Sequence, residues 1–261
     1  MLIIAFVMSS AGLLFAAGSA NWPIAKELPK AEDMVIDPIN YYSQVIQGYY
    51  NFNCVVSKNL TRPAKFYIPE GSVYNQPTVF VMVPDGYDPY QFLEASVWKE
   101  AADLLKLYIV FMEPDKQGWQ DTDSESAYIN ALRDDVSYRP FFCTFSSNFY
   151  AIAYDEKPTS ILLYNSLKNP SNWAGLGLIG TTGLSAKLAA DMQKAPSKFP
   201  GVMLSEVQQP VWIVAKEKNA DVNRLIDYFR IANHSEYIPT SVSYADEAYF
   251  PRKGGTIDNG W

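Results

Sequence analysis

The sequence contains one histidine, His234, among its 261 residues. A zinc site built on two or three imidazoles is therefore excluded, and a Ser-His-Asp relay has to run through His234 or take its base from outside the chain. Cysteine is almost as scarce. Cys54 and Cys143 lack metal-ligand spacing, and two readings stay open: a disulfide in an oxidising compartment, or two buried thiols. Positive charge is also short, with 21 Lys and Arg against 28 Asp and Glu and a net charge of −7. That balance argues against nucleic acid as the main partner, since phosphate binding needs clustered Lys and Arg. There is no internal repeat and no low-complexity segment. No metal and no cofactor is expected.

What is present is ample material for a core. Hydrophobic residues make up 48% of the chain and aromatics 15%, so disorder is excluded as the dominant state. The apolar run from Leu2 to Ala17 is too short for a transmembrane span, which takes about 20 residues, and Gly18-Ser19-Ala20 offers small residues for cleavage. Residues 1–20 are read as a signal peptide, although no Lys or Arg precedes the apolar run, and residues 21–40, with Pro23, Pro29 and Pro38, as a lead-in arm. Residues 41–261 then form one domain, secreted or at the cell surface, with no stable membrane span after cleavage.

Within that domain, strand-like and helix-like runs alternate. Residues 53–56 and 64–69 read as two antiparallel strands. Residues 78–84, 108–114, 149–154, 173–180 and 211–215 read as buried strands, the first two as continuous apolar runs. Helical spacing is found over 92–106, 126–136, 159–168 and 221–233. Strands separated by helices imply right-handed crossovers, hence an α/β fold with a mainly parallel sheet and helices on both faces. Ligands of such sheets bind at the carboxyl ends of the strands. This directs attention to the loops 84–89, 113–123, 154–159 and 216–221.

The order Phe66-Tyr67-Ile68-Pro69, then Val79 to Val83 before Pro84-Asp85-Gly86, resembles the opening of secreted α/β-hydrolases of the polyhydroxybutyrate-depolymerase and feruloyl-esterase type. So do Phe92-Leu93 with Trp98 and Ala101-Ala102-Asp103, and Tyr108-Ile109-Val110 with Glu113-Pro114 and Trp119. The resemblance implies an α/β-hydrolase-like domain acting on carboxylic esters, with a nucleophile elbow at residues 152–159 and oxyanion-hole amides at Gly86 and Lys157. It places Glu156 at the nucleophile position, where a serine is expected, and puts Glu217 and Asp221 in the loop that carries the triad acid. Tyr87, Trp119 and Tyr154 are the residues that would line a substrate cleft. His234 falls earlier in the chain than the family's base. After residue 236 the sequence shows no closing helix, so the C-terminal part of the fold reads as incomplete.

These departures imply impaired serine-hydrolase activity. Three roles are carried forward: an ester hydrolase, a non-catalytic module binding a small or polymeric ester or glycan ligand, and one half of an assembly with a second hydrolase-like module. The acidic loop Asp115, Asp121, Asp123 and Glu125 has oxygen ligands suited to calcium, but its spacing is not that of an EF-hand, and it reads as a solvated loop.

Overall fold

The computed structural model describes residues 35–36, 43–44, 48–72, 75–138 and 144–234. Two short strands, β1 (Val35–Ile36) and β2 (Ser43–Gln44), pair antiparallel with each other. The body is a seven-stranded sheet in the order β3-β4-β6-β5-β7-β8-β9. Its strands are β3 (Gly48–Ser57), β4 (Leu60–Ile68), β5 (Thr78–Met82), β6 (Tyr108–Met112), β7 (Phe149–Tyr154), β8 (Gly175–Thr181) and β9 (Val211–Ala215). The hairpin β3–β4 is antiparallel and joins β6 antiparallel, whereas every pairing from β6 through β9 is parallel. This is the mainly parallel α/β architecture that the alternating pattern predicts.

Why the central strands are so legible follows from their burial. All five residues of β5 and all five of β6 are buried, because helices cover both faces of the sheet there. Phe80, Met82, Val110, Met112, Ala151, Ala153 and Leu178 point to one face, together with Tyr128, Ile129 and Leu132 of α3 (Thr122–Tyr138) and Ile161, Leu162 and Leu163 of α4 (Glu156–Lys168). Met192 of α5 (Ala186–Lys194) and Leu225 and Phe229 of α6 (Ala220–Ala232) join the same cluster. Val79, Val81, Ile109, Phe111, Ile152 and Tyr154 point the other way, against Tyr90, Phe92 and Leu93 of α1 (Pro89–Ala95) and Ala102 of α2 (Trp98–Leu105). Each fully buried aliphatic or aromatic side chain in these clusters contributes roughly 1.5–3 kcal/mol relative to exposure.

Several boundaries differ from the sequence reading, for local reasons. The single helix expected over 92–106 is two helices, because Ser96 closes α1 in an extended conformation and its hydroxyl accepts from the Trp98 amide at 3.2 Å. Helix α1 starts early, at Pro89, because the Asp88 carboxylate caps the Tyr90 and Gln91 amides at 3.0 Å each. Helix α5 has no counterpart in the sequence pattern; it is started by Ser185, whose hydroxyl accepts from the Leu188 amide. The signal-peptide reading, most of the lead-in arm, Cys143 and the C-terminal segment lie outside the described residues. Cys54 is buried in β3.

The acidic loop is not solvated throughout, as the sequence reading expects it to be. Glu125 is fully buried and pairs with Arg62 at 2.8 Å, while Asp121 caps the start of α3 through the Asp123 and Ser124 amides. Among the described residues, no group of three His, Cys, Asp or Glu side chains is placed to hold a metal ion, and no helix is long and apolar enough to cross a membrane.

Candidate active site

The carboxyl ends of β7, β8 and β9 converge on one strained turn. The residue between β7 and α4 is Asp155, at φ 75° and ψ 169°. That region of backbone space is occupied almost only by glycine and costs an L-residue about 1–3 kcal/mol. The turn is held from both sides. The Asp155 amide donates to the Ile179 carbonyl of β8 at 2.8 Å, and the Asp155 carbonyl accepts the first helical bond from Thr159 at 3.0 Å. Gly180 makes the approach possible, since a side chain there would begin 3.3 Å from the Asp155 Cα.

Glu156, which the sequence reading puts at the nucleophile position, is the first residue of α4 and is exposed. The sharp turn falls one residue earlier, on Asp155. Sequence spacing alone does not reveal this, because the diagnostic feature is a positive φ on a non-glycine residue. Lys157 is the second residue of α4 with an exposed side chain, and its amide belongs to the first turn, whose N–H groups have no partner within the helix. Pro158 follows and has no N–H to offer.

Opposite Asp155 stands Lys216, just after β9, with its Nζ 2.6 Å from the Asp155 Oδ1. Both side chains are about half exposed, at 49% and 46%. The hydrogen bond from Lys216 holds the Asp155 carboxyl below the ordinary carboxylate range, and the same bond pushes the Lys216 ammonium up. No linear motif links Lys216 to Asp155.

The proposed acid positions lie apart from this pair. Glu217 is exposed in the loop after β9. Asp221 sits in the first turn of α6, and its carboxylate is bonded to Arg224, whose guanidinium also donates to the Leu184 carbonyl at 2.8 Å. The Asp221 carbonyl accepts from the Leu184 amide at 2.9 Å, so Asp221 ties α6 to the loop after β8. His234 is at the other end of the sheet. It follows Asn233, whose side chain is bonded to the backbone of Gln209, two residues before β9 begins. No imidazole faces Asp155.

The aromatic candidates divide. Gly86 lies in the exposed turn after β5 at φ 81°, with Tyr87 beside it. Tyr87 stacks edge-on against Phe92 and Phe92 against Tyr154, forming a short aromatic row behind the turn. Tyr154 is buried and its hydroxyl accepts from Trp98 Nε1 at 2.6 Å, so it packs under the site and does not line an open cleft. Trp119 is likewise fully buried, donating from Nε1 to the Val83 carbonyl at 2.8 Å and from its amide to Asp85 at 2.9 Å. Its role is to fasten the loop after β6 to the turn after β5.

Two surface cavities lie elsewhere. One of about 300 Å³ is lined by Asn51, Asn53, Lys65 and Glu113. Burial pushes the Glu113 carboxyl up, although Lys65 lies 3.4 Å away. The other, about 590 Å³, is lined by Glu94, Ser96, Lys99, Glu100 and Asp103. Behind it, Tyr67 donates to Asp103, and desolvation pushes its phenol up to about 12.

No family model and no curated protein matches the sequence. Solved structures similar to the chain include the acetyl xylan esterase from Aspergillus awamori, at 12% identity over 52% of this chain and 53% of that one, with a TM-score of 0.44. An S-formylglutathione hydrolase from Staphylococcus aureus is 13% identical over 57% of this chain and 62% of that one, TM-score 0.42. EstE1, a thermophilic carboxylesterase cloned from a metagenomic library, is 11% identical over 87% of this chain and 64% of that one, TM-score 0.44. Each match spans less than two thirds of the other structure, and none of these likenesses assigns an activity to this chain.

Proposed function

We propose that the chain is a secreted, esterase-type α/β-hydrolase domain that binds an ester- or glycan-bearing ligand at the carboxyl ends of its strands without serine-hydrolase chemistry. The observation that carries this reading is the Asp155–Lys216 pair on the strained turn. Ester hydrolysis through an acyl-serine needs a hydroxyl on that turn and an imidazole within hydrogen-bond reach of it. Here the turn presents a carboxylate held by an ammonium, and the one histidine of the sequence stands at the opposite end of the sheet. A carboxylate so paired is a weak nucleophile toward an acyl carbon, and among the described residues no imidazole stands beside it to hydrolyse an adduct. What the turn retains is a fixed, half-exposed polar pair backed by aromatic rings, which is a surface for recognition.

The test is direct. The chain should neither release p-nitrophenol from p-nitrophenyl acetate above the rate of a D155A variant nor react with a fluorophosphonate probe. A labelled serine would overturn the non-catalytic reading. Methyl ferulate should raise the thermal midpoint of the chain, and the D155A variant should lose that shift. An unchanged midpoint at saturating ester would overturn the binding half.

A further inference from the structure

The cavity at the carboxyl end of β6 carries more hydrogen-bonding capacity than the fold consumes. It measures about 300 Å³, and its wall includes Asn51 of β3, Lys65 of β4 and Glu113, the residue after β6. Asn51 stands directly opposite Lys65 in the β3–β4 ladder, so the two share a face. Their polar groups are held from within the chain. The Tyr90 hydroxyl is shared between the Tyr50 carbonyl at 2.6 Å and Asn51 Oδ1 at 3.2 Å, which fixes the amide and leaves its NH2 as the donor end. Lys65 Nζ lies 3.0 Å from Asp88 Oδ2 and 3.4 Å from Glu113 Oε2. Glu113 is spent on that side only. Its other oxygen, Oε1, has no hydrogen-bond partner among the described residues, and the side chain keeps 15% of its surface open. Folded proteins leave few buried acceptors without a donor, so such a carboxyl marks a missing partner. The cavity is far larger than a single water needs.

We propose that this cavity binds one neutral pyranose ring of a saccharide, at a site separate from the Asp155 turn. The charges around it select against ions. Lys65 is already matched by Asp88 and Glu113, so an incoming cation meets the ammonium and an incoming anion meets two carboxylates. A hydroxyl both donates and accepts. Ring hydroxyls donate to the Glu113 carboxyl and accept from the Asn51 amide and from the third N–H of Lys65. Adjacent hydroxyls of a pyranose supply this alternation of donor and acceptor, which a carboxylate, an ammonium or a hydrocarbon lacks. A volume of about 300 Å³ stands at the lower end for small-molecule sites, which suits one ring. The two sites are carried by different strands. Met112, Met82 and Ala153 form one row across β6, β5 and β7, so the strands that lead to Glu113 and Asp155 are two positions apart, about 10 Å in the sheet.

Saturation-transfer NMR on the whole chain tests the site, with D-glucose, D-galactose, D-mannose and D-xylose as separate probes. At least one should receive saturation and bind with a Kd of about 1–10 mM, the strength expected of a ligand with about a dozen non-hydrogen atoms. E113A should weaken that sugar by about tenfold or more, since it removes a charged acceptor. N51A should weaken it by about threefold or more. Asn51 is exposed, and Tyr90 keeps the Tyr50 carbonyl, so N51A should leave the thermal midpoint unchanged. D155A should bind the sugar as the parent does, so this site stands or falls apart from the reading of the strained turn. Methylguanidinium and propionate, the ionic probes, should receive no saturation. Silence with all four sugars, sugar binding unchanged in E113A or in N51A, sugar binding lost in D155A, or transfer to an ionic probe in place of a sugar would each overturn the proposal.

Discussion

Lys216 reaches across the end of β8 to Asp155, Nζ to Oδ1 at 2.6 Å, and so bridges the strand-end loops of β9 and β7 over the small residue Gly180. Two energies meet at this contact. The Asp155 backbone is strained, while the ion pair, half exposed on both sides, returns about 1 kcal/mol or less. The contact is therefore a net local cost that the surrounding bonds to Ile179 and Thr159 sustain.

Replacing Asp155 separates the two contributions. D155A keeps the positive φ and loses the pair, so it should be less stable than the parent. D155G loses the pair but relieves the backbone. It should exceed D155A by about 1 kcal/mol, or roughly 2–4 °C in thermal midpoint. Equal midpoints for the two variants would mean that the turn is not strained.

The ion pair itself should be visible in pH dependence. The Asp155 carboxyl is held low by Lys216, so its contribution is present above the ordinary carboxylate range and fades as the pH falls through that range. The Lys216 ammonium is held high, so its contribution is present below the ordinary lysine range and fades as the pH rises through it. A double-mutant cycle of D155N and K216M should give an interaction of about 0.5 kcal/mol at neutral pH, discounted for exposure, and none in strong acid. An interaction that persists in strong acid would show that the two side chains communicate by something other than charge.

How much of this was legible beforehand depends on the range of the interaction concerned. Strands β5 and β6 show in the sequence as unbroken apolar runs because both their faces are covered, and the order of strands and helices follows from period alone. Helix α5 leaves little apolar pattern because few of its residues are buried, Ala189 and Met192 among them. Asp155 is illegible for a different reason: its identity as the turning residue lies in a dihedral angle imposed by β8 and α4, and no residue pattern encodes it. Its partner Lys216 is brought there by two crossovers. Trp119 was visible as an aromatic in a polar loop, and only the fold shows that the loop folds inward to bury it.

The buried pair Arg62–Glu125 makes a prediction for stability. The side chains are 7% and 1% exposed. Arg62 also donates to the Glu113 carbonyl and lies 4.0 Å over the Tyr128 ring, so it joins β4, the end of β6 and α3. E125Q leaves the guanidinium without its counter-charge and should cost about 3 kcal/mol or more, read from urea denaturation. The paired change R62M with E125L, which removes both charges together, should recover most of that loss. A cost below about 1 kcal/mol for E125Q would mean that Arg62 finds another anion or water in the folded state.

Gly183 decides how α6 meets the site. Its φ is 107°, and a Cβ there would lie 2.2 Å from the Asp221 carbonyl carbon and 2.3 Å from the Val222 amide nitrogen. Both are backbone atoms at the start of α6, so no side chain can rotate away. The next residue, Leu184, donates its amide to the Asp221 carbonyl at 2.9 Å, which shows how tightly the loop after β8 is pressed on the helix. G183A must therefore move α6 or the loop, and both lead to Lys216 through Asn219, which caps α6 and bonds to the Thr182 carbonyl. The expected cost is about 3 kcal/mol or more, from backbone strain together with overpacking. The same variant should erase the D155N–K216M interaction, because the loop that presents Lys216 shifts with the helix. If G183A lowers stability yet leaves that interaction intact, the two loops are anchored independently and Gly183 serves the packing of α6 alone.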